Sequence, residues 1–464
     1  MRKTALFLLF SILLFSCASA KGKNTSLNAK NAVKETSIAP APHVFKDVSR
    51  SMKSAGYWIS KIQNPDKVIL TNKEISALNA RTIGASIYLS DIQYFPAKYY
   101  KKNVASDFSG MIDYFSKFYD GSSDQRVGKA YFKDINKNID YALFESTVNV
   151  RFAMTVGYAE LRAIPSKDPL YSSLNTLDID RMQLTQLDLA SPLAVLYFTK
   201  DREWCYVVSE IAEGWIERRS IAFCRQNAIK DYKRWDKNAV TISPHSDIFM
   251  NKEMTDFFDS VKMGTVLPIA GIYGDVAEIR IPAAKSDNTL VFQKAYIRTS
   301  DISIGFLKYT QRNVLQQAFK HMDSPYGWGG MNGAQDCSDF IRQIFACFGI
   351  VLPRNSSGQA QSGVYAASFE KGEPDNSRAQ KIIKNGIPGM SILYFPGHIM
   401  LYVGSENGKP YIIHSIWGYD DDVSVQDKKT TYLINRVVIT AMNIGETSAK
   451  GPLLQRVTLM KNMK

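Results

Sequence analysis

The chain has 464 residues, a formal net charge of +13 at pH 7, 45% hydrophobic residues and 22% charged residues. This composition is ordinary for a soluble globular protein, and the length exceeds what one hydrophobic core supports, so three or four domains are expected. The positive charge favours anionic partners such as lipid headgroups or an acidic polymer. No dense Lys/Arg run with interleaved aromatic residues occurs, which argues against nucleic acid as a partner.

The first residues have the pattern of an export signal. A short basic start, Met1–Lys3, precedes an apolar run from Ala5 to Phe15 that is too short to anchor stably across a bilayer. The sequence around Cys17 resembles the bacterial lipobox, which implies cleavage of residues 1–16 and lipidation of Cys17. An ordinary secretory signal cleaved near Ala18 or Ala20 is the alternative. Both predict an exported protein, and no second long apolar run follows.

Residues 17–45 are predicted to be a lipidated, flexible tether, and residues 46–150 to form a mainly helical domain. The tether is rich in Lys, Asn, Ser, Ala and Thr and ends in alternating Ala and Pro residues. In the helical part, either Thr71, through its spacing to Glu74, or Asn72 suits a helix start. The aromatic residues between positions 93 and 120 are expected to pack in a core.

Residues 151–308 contain short β-branched and aromatic runs separated by turn signals, which predicts small β-barrels. In residues 151–232, the sequence Asp201-Arg-Glu-Trp204 followed by Gly214-Trp-Ile216 resembles the D-x-x-W and G-W-[VI] motifs of bacterial SH3-like domains. Residues 233–308 have a weaker pattern, with a turn at Gly271–Asp275, and are predicted to be a second, diverged barrel.

Residues 309–464 are predicted to form an α/β domain. A glycine-rich loop, residues 324–336, comes before Cys337, and apolar residues recur after Cys337 on one helical face that ends at Gly349. These apolar residues are Phe340, Ile341, Ile344, Phe345 and Phe348. After residue 385 strand patterns take over, including one run that begins at His398 and another that ends at His414.

Cys337 is the strongest candidate for a chemical role. Unpaired N–H groups and the helix dipole favour a thiolate at the first turn of a helix, and a cysteine with downstream histidines is a candidate nucleophile and base. His398 is predicted to take the thiol proton and to protonate the leaving amine, and His414 to fix the tautomer of His398. Loop and helix-start N–H groups are expected to hold the oxyanion.

The two histidines meet if their strands form a hairpin. A five-residue loop, residues 404–408, places His398 opposite His414 on the same sheet face. A two-residue Asn407–Gly408 turn places His398 opposite Trp417 instead. The longer loop is preferred, because it brings two polar side chains together at the end of otherwise apolar strands.

Metal binding is a competing use of these residue types. Cys337, His398 and His414 are acceptable zinc ligands, but they lack close spacing and a clear fourth ligand. The acidic run at residues 420–422 lacks the alternating ligands of a calcium loop. No metal or other cofactor is therefore expected.

The other cysteines differ in their ability to form disulfides. Cys337 and Cys347 are separated by about 15 Å along the predicted helix, beyond disulfide reach. Cys205 and Cys224 form either a disulfide or two separate buried thiols.

Five motifs in residues 309–464 resemble the NlpC family of cell-wall cysteine peptidases. They are Pro325-Tyr-Gly-Trp-Gly-Gly330, Asp336-Cys-Ser338, Leu352-Pro-Arg-Asn-Ser-Ser-Gly-Gln359, Gly397-His-Ile-Met-Leu-Tyr-Val-Gly404 and Ile413-His-Ser415. The resemblance implies a papain-like fold for this region. The whole chain is thus predicted to be a multi-domain α+β protein, with a papain-like cysteine peptidase domain preceded by two small SH3-like β-barrels and a mainly helical N-terminal domain.

The resemblance also implies roles for named residues. Cys337 corresponds to the nucleophile, His398 to the base and His414 to the third, orienting residue. Tyr326 corresponds to a tyrosine that supports the oxyanion site. The further residues implied to line the cleft or bind substrate are Trp328, Asp336, Ser338, Asn355 and Ser356.

One position departs from the family pattern. Members that require a free N-terminal L-Ala often carry Arg-Asp-Ser where this chain has Arg354-Asn-Ser356. The aspartate would pair with the substrate amine. The uncharged Asn355 puts a strict preference for a free amine in doubt.

The resemblance implies an endopeptidase that cleaves the bond between γ-D-glutamate and a diamino acid, such as meso-diaminopimelate, in peptidoglycan fragments (muropeptides). The first barrel is expected to wall one side of the cleft and to favour released muropeptides. Ala18, directly after the lipidated cysteine, favours the periplasmic face of the outer membrane. The alternatives are a cell-wall-binding scaffold with an inactive peptidase domain, or a related cysteine amidase or acyltransferase.

Overall fold

The computed structural model describes residues 37–41, 45–100, 104–141, 144, 147–421 and 430–464. The predicted signal peptide, Cys17 and residues 17–36 of the tether lie outside this part of the chain. Among the described residues, no helix is both long and apolar enough to cross a membrane.

The first part of the described chain is mainly helical. Its elements are strand β1 (Ser37–Pro40), helices α1 (Ala55–Ile59) and α2 (Asn72–Ala85), strand β2 (Lys98–Tyr99), helices α3 (Val104–Phe115) and α4 (Lys133–Asn138), and strand β3 (Val148–Asn149), which pairs with β2. Helix α2 begins with Thr71 as its N-cap. The Thr71 hydroxyl accepts from the Glu74 N–H, and the Glu74 carboxylate accepts from the Thr71 N–H at 2.8 Å. Of the two predicted helix starts, the Thr71–Glu74 capping box is the one that forms.

These helices belong to two hydrophobic cores. Trp58 of α1 and Leu78 of α2 are buried in the core of the C-terminal domain. Phe108 of α3 is fully buried against Tyr206 and Trp215 of the first barrel. The helices of residues 46–150 are therefore shared between two neighbouring domains instead of enclosing one core of their own.

Residues 151–224 form a seven-stranded sheet with strand order β10-β4-β7-β8-β9-β5-β6. Its strands are β4 (Arg151–Thr155), β5 (Ala159–Arg162), β6 (Gln183–Leu187), β7 (Pro192–Phe198), β8 (Trp204–Val208), β9 (Glu213–Glu217) and β10 (Ile221–Cys224). Cys205 lies on β8 and Cys224 on β10, and both are free thiols. Two strands separate them, so their distance of about 14 Å exceeds disulfide reach.

Residues 238–304 form a second seven-stranded antiparallel sheet around a separate core that contains Ile248, Leu267 and Ile279. Helix α5 (Gln226–Lys233) leads into it. Its strands are β11 (Asn238–Thr241), β12 (His245–Phe249), β13 (Phe257–Lys262), β14 (Val266–Tyr273), β15 (Val276–Ala284), β16 (Leu290–Arg298) and β17 (Ile302–Ile304).

The C-terminal domain combines a seven-stranded sheet, ordered β1-β22-β21-β20-β19-β23-β18, with packed helices. Its elements are α6 (Gln311–Lys320), α7 (Cys337–Ala346), α8 (Ser356–Gln359), β18 (Val364–Ser368), α9 (Asp375–Asn385), β19 (Ser391–Phe395), β20 (His398–Glu406), β21 (Lys409–Asp421), β22 (Thr430–Ala441), α10 (Leu453–Arg456) and β23 (Leu459–Asn462). The predicted apolar face of α7 is confirmed, because all five of its residues are buried. This face fixes α7, and Cys337 at its start, against the sheet.

The end of the predicted tether differs from the expectation. Residues 37–40 form strand β1, which pairs in parallel with β22, with Ser37 beside Thr430 and Pro40 beside Leu433. Pro40 is tolerated because β1 lies at the edge of the sheet. Ala41 is buried against Ile416. The flexible tether predicted over residues 17–45 is therefore corrected for residues 37–41.

Candidate active site

Cys337 is the first residue of α7, and Asp336 is the N-cap of this helix. Asp336 Oδ1 accepts hydrogen bonds from the backbone N–H groups of Ser338 at 3.1 Å and Asp339 at 2.9 Å. Asp336 Oδ2 accepts from the N–H of Gly329 at 3.1 Å, which ties the glycine-rich loop to the helix start. The side chain of Cys337 therefore projects from a backbone that is fixed on both sides.

The glycine-rich loop needs glycine for two reasons. Gly329 and Gly330 have φ angles of 59° and 81°, in the region that L side chains rarely adopt. A Cβ atom at Gly329 would lie 2.7 Å from Cγ of Gln183, a residue of the first barrel. The loop is therefore shaped by close approach to the barrel as well as by backbone conformation.

Arg354 holds the N-cap of α7 in place. Its Nη1 and Nη2 donate to the two carboxylate oxygens of Asp336 at 3.0 and 2.7 Å, and Nη1 also donates to Ser338 Oγ at 2.9 Å. Ser338 Oγ in turn donates to Asp336 Oδ1 at 2.9 Å. Asp336 and Ser338 line the cleft. The hydrogen bonds described for these two side chains all go to other groups of the protein.

The hairpin that carries the two histidines has a different register from the preferred prediction. Its turn is the two-residue Asn407–Gly408 turn, with Glu406 paired to Lys409, so the predicted five-residue loop is wrong. Asn407 and Gly408 have φ angles of 50° and 74°. These values fit the turn type that Asn-Gly sequences favour between paired strands.

A β-bulge brings the histidines together despite this turn. Gly404 pairs with Tyr411, but Tyr402 pairs with Ile412, so Val403 is an extra residue on β20. The extra residue shifts the remaining pairs by one position and turns His398 to the face of the sheet that carries His414. His398 Nε2 lies 2.8 Å from His414 Nδ1, and both rings are buried.

Thr440 on β22 extends this arrangement and was not found from the sequence. Its Oγ1 lies 3.2 Å from His414 Nε2. For a neutral His398 to accept a proton at Nδ1, its Nε2 must carry the hydrogen and donate to His414 Nδ1, and His414 Nε2–H then donates to Thr440. The three side chains thus couple the tautomers of the two rings, and this order of hydrogens is the one that leaves His398 Nδ1 free to accept a proton.

The sulfur of Cys337 lies at the start of β20, the strand that begins with His398. The backbone N–H groups of Ile399 and Ser338 act on the sulfur and lower its pKa, as does Arg354. Burial and the Asp336 carboxylate act in the opposite direction and prevail, raising the pKa of Cys337 to about 12. The predicted stabilisation of a thiolate by the helix start is therefore outweighed by desolvation.

Burial also keeps the two histidines neutral. It lowers the pKa of His398 well below the ordinary value of 6.5, with a further contribution from His414. Burial lowers the pKa of His414 to about 3. The site therefore contains a neutral thiol and a neutral imidazole, and the neutral form is the form of His398 that can accept a proton.

The cleft above Cys337 has a volume of about 1070 Å³ and is walled by two domains. The C-terminal domain contributes the sulfur, His398 and residues 416–419 of β21. The first barrel contributes residues 179–184 and 208–213 on the opposite side. Arg181 of the barrel lies over the Trp328 ring, with 4.6 Å between the guanidinium carbon and the ring centroid.

Tyr326, Trp328, Asn355 and Ser356 also line the cleft. Burial raises the pKa of the Tyr326 hydroxyl, and the nearby Asp336 carboxylate and Cys337 raise it further. Asn355 is the N-cap of α8, and its Oδ1 accepts from Gly358 N–H at 2.7 Å and from Ser357 Oγ at 2.8 Å. The oxygen that was expected to meet a substrate amine is therefore engaged within the protein.

The described residues contain no group of three or more His, Cys, Asp and Glu side chains arranged to hold a metal ion. His398 Nε2 and His414 Nδ1, two of the atoms considered for zinc, point at each other. Asp420 bonds to Thr431 at 2.9 Å and to Lys450 at 3.2 Å, while Asp422 lies outside the described residues.

Comparison with family models identifies two regions of the chain. Residues 323–442 match the NlpC/P60 family, and residues 169–217 match an SH3 domain of the SH3b1 type. The first range contains Cys337, His398, His414 and Thr440. The second contains strands β6 to β9, which include the cleft wall of the first barrel.

Curated relatives match over the same C-terminal region. The γ-D-glutamyl-L-lysine dipeptidyl-peptidase of Bacillus subtilis is 31% identical over 118 residues, which are 25% of this chain and 36% of the relative. The bifunctional muramidase/DL-endopeptidase of the same organism is 27% identical over 149 residues, 31% of this chain and 40% of the relative. The chain thus spans less than half the length of these relatives.

One solved structure resembles most of the molecule. The NlpC/P60 endopeptidase of Photobacterium damselae subsp. piscicida superimposes with a TM-score of 0.67 over 88% of this chain and 96% of that chain, at 19% identity. This likeness concerns the fold alone. The chain therefore carries an NlpC/P60 family domain, preceded by an SH3 domain of the SH3b1 type.

Proposed function

We propose that this protein is a cysteine endopeptidase that hydrolyses peptidoglycan stem peptides. The observation that carries the proposal is the buried His398–His414 pair, with 2.8 Å between its nitrogens. His398 is the first residue of β20, and the N–H of the next residue, Ile399, acts on the Cys337 sulfur. A nucleophile, a base and a group that orients the base are thus assembled at the floor of an open cleft.

The reaction follows from the protonation states of these residues. The Cys337 thiol gives its proton to His398 Nδ1 as the sulfur attacks the scissile carbonyl carbon. The helix-start N–H and the Tyr326 hydroxyl are the donors proposed to stabilise the oxyanion. The imidazolium of His398 protonates the leaving amine, which leaves a thioester on Cys337. A water molecule then attacks this thioester, gives one proton to His398, and releases the acid and the thiol.

We further propose that the scissile bond joins γ-D-glutamate to a diamino acid such as meso-diaminopimelate. The name of the Bacillus subtilis dipeptidyl-peptidase, which matches in this region, specifies a γ-D-glutamyl bond to lysine. The cleft volume of about 1070 Å³ suits a short peptide, and the first barrel closes one side of it. Short, released muropeptides are therefore the proposed substrates.

Asn355 supports activity on substrates with a blocked amine. Its Oδ1 already accepts two hydrogen bonds within the protein, and an amide has no charge to pair with an ammonium group. A strict requirement for a free N-terminal L-Ala is therefore not expected. Asn355→Asp, which restores the family carboxylate, should shift the preference towards the free amine.

The direct test uses L-Ala-γ-D-Glu-meso-diaminopimelate and its N-acetylated form as substrates. Under reducing conditions, the mature protein should release the diamino acid from both peptides, as read by mass spectrometry, and Cys337→Ala should release none. Failure of the wild type to cleave either peptide would contradict the enzymatic proposal. Cleavage of the free peptide alone would contradict the inference from Asn355.

We also propose that the protein is exported and anchored by a lipid on Cys17, on the periplasmic face of the outer membrane. The lipobox-like sequence around Cys17 supports this proposal. Cys17→Ser should move the protein from the membrane fraction to the soluble fraction. Continued membrane association of this variant would contradict the anchor.

A further inference from the structure

Strand β6 of the first barrel packs directly on the loop that precedes the nucleophile. Gln183 Nε2 lies 3.4 Å from the carbonyl oxygen of Gly329. A Cβ atom at Gly330 would lie 3.0 Å from Cβ of Gln186. The barrel therefore contacts the catalytic loop along its backbone, not only through long side chains.

Thr185, between these two glutamines, reaches deeper into the C-terminal domain. It is 1% exposed, and its Oγ1 accepts a hydrogen bond of 2.6 Å from Arg354 Nε. The hydroxyl donates its own hydrogen to the Gln186 carbonyl at 3.1 Å, which leaves the oxygen oriented as an acceptor. Thr185 is thus the group of the first barrel that bonds to the Arg354 guanidinium.

The described bonds of Arg354 fix its orientation completely. Nε donates to Thr185, and the two terminal nitrogens donate to Asp336 and Ser338. The guanidinium is planar and its donors point in fixed directions, so one bond cannot be lost without affecting the others. A chain of buried hydrogen bonds therefore runs from the barrel, through Arg354, to the N-cap of the helix that starts at Cys337.

We propose that Thr185 is a positioning residue for the Cys337 nucleophile, acting through Arg354 and Asp336. Without its oxygen, the buried Nε–H of Arg354 has no acceptor, and the guanidinium must turn away from the bidentate position. The Asp336 carboxylate is then less well neutralised, directly beside the sulfur. The first barrel is on this reasoning part of the catalytic apparatus. The inference rests on the proposed role of Cys337, but not on the identity of the substrate.

The test compares Thr185→Val, which keeps the shape and removes the acceptor, with Thr185→Ser, which retains the hydroxyl. The matched control is Thr199→Val. Thr199 is also 1% exposed, and its described hydroxyl bonds go to Asp201 and Trp204 of the same barrel. The melting temperature of each variant shows how much general stability is lost.

Two readouts are measured on each variant. The first is the rate of Cys337 alkylation by iodoacetamide as a function of pH, followed on the Cys337 peptide by mass spectrometry. Thr185→Val should reduce this rate about tenfold at pH 7 and move the profile to higher pH, because the carboxylate beside the sulfur is less compensated. The second readout is kcat and KM for hydrolysis of the tripeptide. In Thr185→Val, kcat should fall about tenfold, and KM should stay within about twofold of the wild-type value.

Thr185→Ser should restore both readouts to within about twofold of the wild type, and Thr199→Val should leave both unchanged. Equal effects of Thr185→Val and Thr199→Val, or a folded Thr185→Ser that is not rescued, would overturn the inference. If Thr185→Val does not fold, Thr185→Ala is measured in its place against the same control. A changed alkylation profile in a protein that cleaves no stem peptide would preserve the positioning role and contradict the proposed function.

Discussion

The buried histidines show how burial sets the chemistry of single residues. His398 and His414 are kept neutral by desolvation, and the hydrogen bonds that link them to each other and to Thr440 couple the tautomers of the two rings. A neutral base can remove the thiol proton only when the attack begins. Reactivity of Cys337 in this site therefore depends on the base and on the helix start more than on a preformed thiolate.

His321 is a second kind of buried histidine, with no part in the proposed reaction. It is 0% exposed at the end of α6, its Nε2 lies 3.3 Å from Met263 Sδ, and burial lowers its pKa to about 3. Because the folded-state pKa lies below the unfolded value of about 6.5, the stability linked to this group is complete above pH 6.5. It is lost progressively as the pH falls from 6.5 towards 3.

His321→Phe should remove this acid sensitivity, since the phenyl ring fills the same buried position beside Phe340 without titrating. Between pH 6.5 and pH 4, the wild type should lose about 3 kcal/mol more of its unfolding free energy than the variant does. Urea unfolding at several pH values measures the unfolding free energy of the wild type and of the variant as a function of pH. Above pH 7 the difference between the two free energies should be constant, which serves as the internal control. Parallel curves down to pH 4 would show that His321 does not titrate as described.

At the scale of elements, the β20–β21 hairpin shows where sequence reasoning succeeds and where it stops. The strands and the shared face of the two histidines were predicted, but the preferred register was wrong. The Asn407-Gly408 sequence is a local signal for a two-residue turn, and it favours the observed pairing of Glu406 with Lys409. The bulge at Val403 lies beside a tertiary contact, in which the ring of Trp58 from α1 packs where a Cβ atom of residue 404 would lie. A contact with a helix about 350 residues away has no local signature.

Gly404→Ala should therefore disturb the bulge more than an ordinary glycine substitution does. Its φ angle is 144°, and a Cβ atom would lie 2.8 Å from Trp58 Cε3. Gly408→Ala in the same hairpin is the matched control, with a φ angle of 74° and nothing within 4 Å of a Cβ atom. We expect a loss of about 1 kcal/mol for the control and about 2–4 kcal/mol for Gly404→Ala. Denaturant unfolding measures both, and equal losses would contradict the packing account.

At the scale of the whole molecule, the elements were more predictable than their assembly. The α7 helix, its buried face and the resemblance of residues 151–232 to an SH3-like domain follow from local periodicity and motifs. The sharing of the N-terminal helices between two cores and the pairing of β1 with β22 do not, because both depend on surfaces that exist only after the domains have packed. The role of Thr185 could not be predicted for the same reason, because its partner Arg354 is in another domain.

The two walls of the cleft are joined at one end. Trp417 Nε1 on β21 donates a hydrogen bond of 2.6 Å to Asp178 Oδ2, in the loop of the first barrel that leads to Ile179 and Arg181. Trp417, Ile179 and Arg181 all line the cleft. A hydrogen bond to a carboxylate is among the stronger ones, although exposure to solvent reduces its net contribution. This bridge should restrict the cleft to short substrates.

Trp417→Phe keeps an aromatic ring, although a smaller one, and removes the donor, and Asp178→Ala removes the acceptor from the opposite wall. Each variant should raise the rate on a disaccharide-tripeptide, relative to the rate on the free tripeptide, by about fivefold. The reason is that losing a hydrogen bond worth about 1 kcal/mol shifts the ratio of unbridged to bridged molecules about fivefold. Ile416→Val, a change at the neighbouring cleft residue that leaves the bridge intact, is the control and should keep the wild-type ratio. Competition of the two substrates in one reaction, read by mass spectrometry, gives the ratio directly. If both bridge variants keep the wild-type ratio, the bridge holds the domains together without selecting substrates by size.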